Sequence, residues 1–440
     1  MPDRAETQLL GPWMTSALVV GGMIGAGIFM LPVSLAPYGA NAIIAWVVSS
    51  IGVLSLAYSL ARLARRDGLG IQAYIERELG PTIGFIITWA FWVSVWTSNA
   101  ALAIAAASGL ARIVPSLADP TSIAWVSIAL IGFLTIVNAL GARATGRMAL
   151  LTVAIKVMPL LAVVLILGST SVAGGPIEPL AQMPLTFSNL AGATALTLFA
   201  LLGFETATAP VDKVRDPGRT IPLAILVGTA FVATLYLFSS TAVLLILPAE
   251  TVASSVAPFA DAVGSAWGER AALLAAFAMA VSAFGCLNGG VMIGGELSYS
   301  MALRGDLPAL LAKTDKAGTP IVGQVIAAAL AIILVMSNIS RGTAGLFTFI
   351  ILLTTSATLW LYLAGAVAAL KQRPGRGAAF VIAVGIAFTF FAFYGVGWEG
   401  NAWGLVLLAI GLAIRSVMRR LNSRAATSPA AERAQAAPRE

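Results

Sequence analysis

Runs of ~20 apolar residues recur from one end of this chain to the other, each long enough to cross a bilayer as a helix. Short polar or charged segments separate them. The pattern predicts spans at 13–35, 41–61, 82–111, 122–140, 148–168, 188–210, 221–247, 271–303, 321–338, 344–370, 378–394 and 401–420. The first run is interrupted and lacks a small-residue cleavage site, so it reads as a span and not a signal peptide. Between the second and third spans, "QAYIERELG" (72–80) is short and mixed, and predicts an interfacial or re-entrant helix. Residues 1–12 precede the first span. Residues 421–440 are small, polar and charged, and predict a disordered tail. No soluble domain is legible.

Composition turns this pattern into a class. The 440 residues are 59% hydrophobic and 10% charged, with a mean hydropathy of +0.93. The expectation is an all-α polytopic membrane protein with twelve transmembrane helices. Charge gives the orientation. Of the 26 Lys and Arg, only Arg112, Arg270, Arg341 and the intramembrane Lys156 fall outside the segments assigned to the cytoplasm. That asymmetry places both termini in the cytoplasm and supports an even number of spans. It also accounts for the net charge of +7 better than a nucleic-acid partner does.

The single cysteine, Cys286, excludes an internal disulfide. The chain has no histidine, which removes the usual metal ligand and the side chain that titrates near neutrality. No metal or cofactor is expected. Proton chemistry would have to use carboxylates or a perturbed lysine.

Two spans are built to break. "GGMIGAGIFMLP" (21–32) concentrates Gly21, Gly22, Gly25 and Gly27 in the first. Each glycine costs ~1 kcal/mol in a helix interior. "LTLFALLGFETATAP" (196–210) sets Gly203 beside Glu205 in the sixth. These spans open two five-span halves, about 13–168 and 188–370. Unwound segments at matching places predict a secondary transporter with inverted repeats. Unwinding frees backbone groups that lipid cannot satisfy. The positive end of a half-helix favours a carboxylate, and glycine lets it approach the backbone. Close helix packing through small residues is the competing explanation for the first span.

These stretches resemble the amino acid–polyamine–organocation superfamily. "GGMIGAGIFMLP" is similar to the signature of its first span. "LFALLGFETATAPVDKVRDPGRTIPLAI" is similar to its sixth span and the following loop. "ALRGDLPALLAK" followed by "AGTP" (317–320) is similar to its loop between spans 8 and 9. The resemblance covers about residues 10–400 and looks closest to the basic amino acid/polyamine antiporter branch. It implies a LeuT-like fold, a 5+5 inverted repeat, alternating access and location in the cell inner membrane. Related antiporters are often dimers, but no interface is legible here.

Carried over residue by residue, the resemblance implies that Met23, Gly25, Ala26 and Gly27 meet the substrate's carboxylate and amino group through their backbone. Ser94 and Asn99 match a polar wall on span 3. Leu202 matches a backbone position for the amino group, Glu205 an acidic residue near the site, and Phe199 an aromatic gate. Arginine/agmatine exchangers of that branch carry Trp at the positions of Phe199 and Gly290. Losing two indoles weakens the case for stacking a guanidinium and leaves a differently shaped pocket.

Lys156 sits among apolar residues in "LLTVAIKVMPLL". An ionisable group there is costly and reads as functional. In some sodium-independent or proton-coupled members of the superfamily a lysine at this position replaces the sodium ion of sodium-coupled relatives. Lys156 lies ~13 Å from cytoplasmic Arg147, and Glu296 ~12 Å from cytoplasmic Arg304, along their helices. At equal depth the two charges are expected to pair or sit near each other.

The leading expectation is an amino acid or amine antiporter. Proton-coupled symport through Lys156 is the alternative. A non-transporting amino acid sensor and a membrane enzyme are weaker readings, since no signalling domain and no catalytic constellation is legible. The plainer roles are a cap for Glu205, a helix tie for Asn99, and packing for Cys286 and for Trp89, Trp92 and Trp96 on one face of span 3.

Overall fold

The computed structural model describes residues 11–25, 27–64, 71–139, 145–205, 214–315 and 318–426. Among the described residues every regular element is helical. The first span is a broken pair, α1 (Pro12–Met23) and α2 (Gly27–Leu35), bent by 44°. Then follow α3 (Ala40–Ala64), α4 (Ile71–Leu79), α5 (Pro81–Ile113), α6 (Pro120–Ala139) and α7 (Thr145–Val172). The short α8 (Phe187–Ala200) leads to α9 (Pro217–Ile246), then to α10 (Ala249–Ser254) and α11 (Pro258–Trp267). The chain ends with α12 (Glu269–Leu303), α13 (Ile321–Ser337), α14 (Gly342–Lys371) and α15 (Arg376–Ala426).

Eight of these helices are long and apolar enough to cross a membrane, and the α1–α2 pair makes nine. The chain is thus a multi-pass membrane protein. Exposed apolar side chains such as Phe133 and Ile136 on α6, and Met158 and Leu165 on α7, form its outer surface. No aqueous protein would leave so many uncovered.

Helix α5 lies inside the bundle, packed on α12, α14 and α6. Its small residues make this possible. A methyl group added at Gly109 would reach 3.1 Å from the backbone of Ala276 and Ala280 on α12. Trp89 and Trp92 are buried on α5 and donate to the carbonyls of Leu407 and Gly294.

One feature departs from the sequence reading. Helix α15 extends through Ala426, past the start of the expected tail at 421. Ala425 and Ala426 are strong helix formers, and Asn422 donates to the carbonyl of Gly305. Nearby, Arg415 and Arg419 both hold Asp306, a buried carboxylate just beyond α12. Residues 427–440 lie outside the described residues, as do 1–10. Gly397 leaves helical geometry (φ 77°, ψ 178°) and divides α15 between the stretches expected as spans at 378–394 and 401–420. An unbroken helix of that length would run ~75 Å, against a hydrocarbon core of ~30 Å.

Candidate functional site

Helix α1 ends because its glycines offer little to hold it. Ile24 turns out of helical geometry (φ −75°, ψ 83°), and the N–H of Gly25 folds back to the carbonyl of Met23 at 2.8 Å. The carbonyl of Gly21 thereby loses the N–H four residues ahead that a continuing helix supplies. Side chains from other helices replace such lost partners. Lys156 Nζ on α7 donates to Gly21 O at 3.1 Å. Tyr236 on α9 donates its hydroxyl to Met23 O at 2.9 Å. Cys286 Sγ on α12 donates to Ile24 O at 3.5 Å. A second contact from Lys156 Nζ reaches Cys286 Sγ at 3.0 Å. A buried polar group left unmatched costs ~1–3 kcal/mol, so these donors fix where the helix opens. On the other side of the break, α2 begins at Gly27, and its first N–H groups have no intrahelical acceptor.

The turn that follows α8 packs against the break between α1 and α2; residues 206–210, the rest of the span expected at 188–210, lie outside the described residues. Helix α8 ends at Ala200, and Leu202 N donates to Phe199 O at 3.2 Å. Gly203 takes φ +106°, a conformation only glycine adopts easily. A methyl group there would lie 2.9 Å from Gly22 O and 3.4 Å from the Cα of Met23. The two unwound segments are therefore in backbone contact. Glu205 supports the second. Its Oε2 accepts from Gly203 N at 3.2 Å and from the hydroxyl of Tyr362 on α14 at 2.9 Å. Phe204 stacks on the same Tyr362 ring, with centroids 4.9 Å apart.

Around these breaks the expected site residues assemble. Phe199 packs on Gly27 so closely that a methyl group there would come within 2.8 Å of its ring. It meets Phe347 edge to face at 6.3 Å. Gly25 faces Leu102 of α5 and Cys286 of α12. One turn along both helices, Asn99 points at Gly290, where a methyl group would collide with Asn99 Oδ1. Asn99 is 2% exposed, and its Oδ1 accepts no hydrogen bond. Ser94 is not drawn in: its hydroxyl returns to Phe91 O on its own helix at 2.8 Å. Ala26 lies outside the described residues.

The expected pair of Lys156 with Glu296 is not formed. Lys156 is 2% exposed and bonded as described, whereas Glu296 is exposed. Cys286, which touches the ammonium, precedes Glu296 by ten residues of α12, ~15 Å of helical rise. Equal spacing from the arginines gives equal depth only where α7 and α12 start level, and the Lys156–Cys286 contact shows that they do not.

Sequence reading missed three further contributors. Cys286, read as packing, bridges Lys156 and Ile24 O. Tyr236 and Tyr362, both fully buried, serve the two breaks. The available signal was general: a tyrosine in an apolar helix must find a partner for its hydroxyl.

The chain is similar to known proteins along most of its length. Residues 10–414 match the amino acid permease family. The chain is 28% identical over 423 residues to the putrescine transporter PotE of Haemophilus influenzae, covering 92% of this chain and 96% of that protein. It is 27% identical to the Escherichia coli K12 putrescine transporter PotE, at 93% and 96% coverage. It is 30% identical over 358 residues to the cadaverine/lysine antiporter of the same strain, covering 77% of this chain and 78% of that one. With its broken first span and this match along nearly its whole length, the chain belongs to the amino acid permease family of the amino acid–polyamine–organocation superfamily, a family of transporters and not of enzymes.

Proposed function

We propose that this protein is an antiporter of the cell inner membrane that exchanges a basic amino acid for a related amine by alternating access. The observation that carries the reading is the pair of contacting breaks, with Gly203 seated on Gly22 and Met23. Such a seam offers N–H groups and carbonyls to one ligand at once. The similarity to proteins named putrescine transporter and cadaverine/lysine antiporter supports an amine-linked cargo.

In this reading the substrate carboxylate binds the N–H groups at Ala26 and Gly27, at the positive end of α2, and Gly25 lets it approach the backbone. Its amino group meets the carbonyl of Leu202, beside the Met23 carbonyl that Tyr236 holds. Asn99 forms a polar wall, Gly290 gives that wall room, and Phe199 closes over the ligand. Glu205 holds the unwound sixth span through Gly203 and Tyr362. Lys156 stands at the first break in the place of a coupling sodium ion, bonded to Gly21 O and Cys286 Sγ.

The architecture proposed with it has twelve passes. The halves are 13–168 and 188–370 in LeuT-like inverted repeat, α15 supplies the passes at 378–394 and 401–420, and residues 1–12 and 421–440 are cytoplasmic. The arginines at the ends of α3, α12 and α15 favour that orientation.

Counterflow into proteoliposomes tests the function. Uptake of lysine or arginine that requires internal cadaverine, putrescine, agmatine or the same amino acid establishes exchange. Accumulation in empty vesicles under a pH gradient alone would overturn it in favour of proton symport, the reading that the buried Lys156 supports.

A further inference from the structure

Glu296 takes no part in the site described above. It stands on α12 seven residues before the helix ends at Leu303, ~10 Å inside the span. The residue is exposed, and among the described residues it makes no hydrogen bond or ion pair. A bare carboxylate facing hydrocarbon is too costly to keep, so such a group faces water.

Its neighbours on the helix surface support that placement. Cys286, Gly289, Ile293 and Ser300 are all partly exposed and lie near Glu296 in angle, while Leu287, Val291, Gly294 and Ser298 are buried on the opposite side. A methyl group added at Gly289 would meet nothing within 4 Å. The accessible stripe thus runs from Cys286, whose Sγ touches the first break, past Glu296 to the arginine-bearing end of α12. Lys156 touches the stripe only at its inner end, at Cys286, ten residues and ~15 Å of helical rise from Glu296, and does not pair with that carboxylate. Arg304 at the far end is engaged by Glu76.

We propose that Glu296 is a counter-charge lining the cytoplasmic approach to the site, which draws cationic alkylammonium substrates toward the first break and disfavours anionic ones. The proposal rests on the antiport reading for its sidedness and its cargo. It makes Glu296 a specificity-determining residue that acts before the substrate reaches the break. At ~15 Å and an effective dielectric constant of ~30, one unit charge alters local ion concentration about threefold. The ratio between a cation and an anion then changes about tenfold.

Cys286 makes this measurable without knowing the substrate, because it is the only cysteine in the chain. Inside-out membrane vesicles carrying the full-length protein are treated with a cationic (aminoethyl) or an anionic (sulfonatoethyl) methanethiosulfonate, and the two labelling rates of Cys286 are compared. Glu296→Gln should lower the cation-to-anion ratio about tenfold, and Glu296→Asp should keep it. In counterflow, Glu296→Gln should raise the KM for a diamine at that face about threefold and leave a neutral amino acid unchanged. An unchanged labelling ratio in Glu296→Gln, or a Cys286 that neither reagent reaches from this face, would overturn the proposal. If the ratio falls but the wild-type protein exchanges nothing, the antiport reading fails and the pull of Glu296 on cations stands.

Discussion

The ammonium of Lys156 donates to the carbonyl oxygen of Gly21 across 3.1 Å, from the middle of one span to the broken end of another. A backbone group that a continuing helix would have satisfied is held instead by a charge on α7. The unwound geometry therefore depends on side chains far away in sequence, and each of them can be removed singly.

Lys156→Met keeps length and volume but strands Gly21 O and removes one of the two partners of Cys286 Sγ. The lost hydrogen bond should cost about 1–3 kcal/mol, partly offset because a buried charge disappears with it. Thermal unfolding in detergent should report a fall of a few degrees. Exchange should fall by more than tenfold, since the break is where ligand is proposed to bind. Wild-type exchange in Lys156→Met would show that the ammonium is dispensable.

Gly203→Ala meets two obstacles at once, a φ of +106° and a close approach to Gly22 O. Backbone strain of this kind costs about 1–3 kcal/mol, and relief would push the two breaks apart. Gly289→Ala is the matched control, because open space lies beside it. Circular dichroism and counterflow on both variants should show Gly203→Ala impaired at least tenfold and Gly289→Ala unimpaired or slightly more stable.

Tyr362→Phe removes one of the donors to Glu205 Oε2 and leaves the ring stacked on Phe204. A hydrogen bond to a carboxylate is worth about 1.5–3 kcal/mol. Glu205→Gln would keep an acceptor for Gly203 N and for Tyr362. If Glu205 acts through the shape of the sixth span, Tyr362→Phe should lose more exchange than Glu205→Gln. The reverse order would mean that the charge of Glu205 itself is needed.

How far the sequence already spoke is clearest at these residues. Long apolar runs carry their own signal, so α5 and α12 fall within two residues of the ends read from hydropathy. Glycine clusters announced the breaks at Met23–Gly27 and at Gly203 for the same local reason. What joins the breaks was illegible. Nothing in the spacing of Tyr236, Tyr362 or Cys286 says which carbonyl or carboxylate each will meet, because that depends on how separate helices slide past one another. The missing Lys156–Glu296 pair has the same origin. Depth was inferred along each helix from its arginines, and the offset between α7 and α12 is a tertiary quantity.

The contact of Asn99 with Gly290 yields the sharpest test of shape. Asn99 Oδ1 occupies the space that any side chain at Gly290 would need, and it has no hydrogen-bond partner of its own. A buried acceptor in that condition is open to a donor, and an ammonium is the donor the proposed cargo provides. Gly290→Ala should therefore force Asn99 aside and weaken binding, with a cost of about 1–3 kcal/mol from overpacking alone. Asn99→Ala should also weaken binding, by loss of the acceptor. The double variant distinguishes the causes. If Gly290 matters only because it leaves Asn99 in place, Gly290→Ala should cost almost nothing once Asn99 is already alanine, giving a coupling energy of about 1–3 kcal/mol. Additive losses, measured as Kd by thermal shift or calorimetry across a panel of amines, would mean that Gly290 shapes the pocket independently of Asn99.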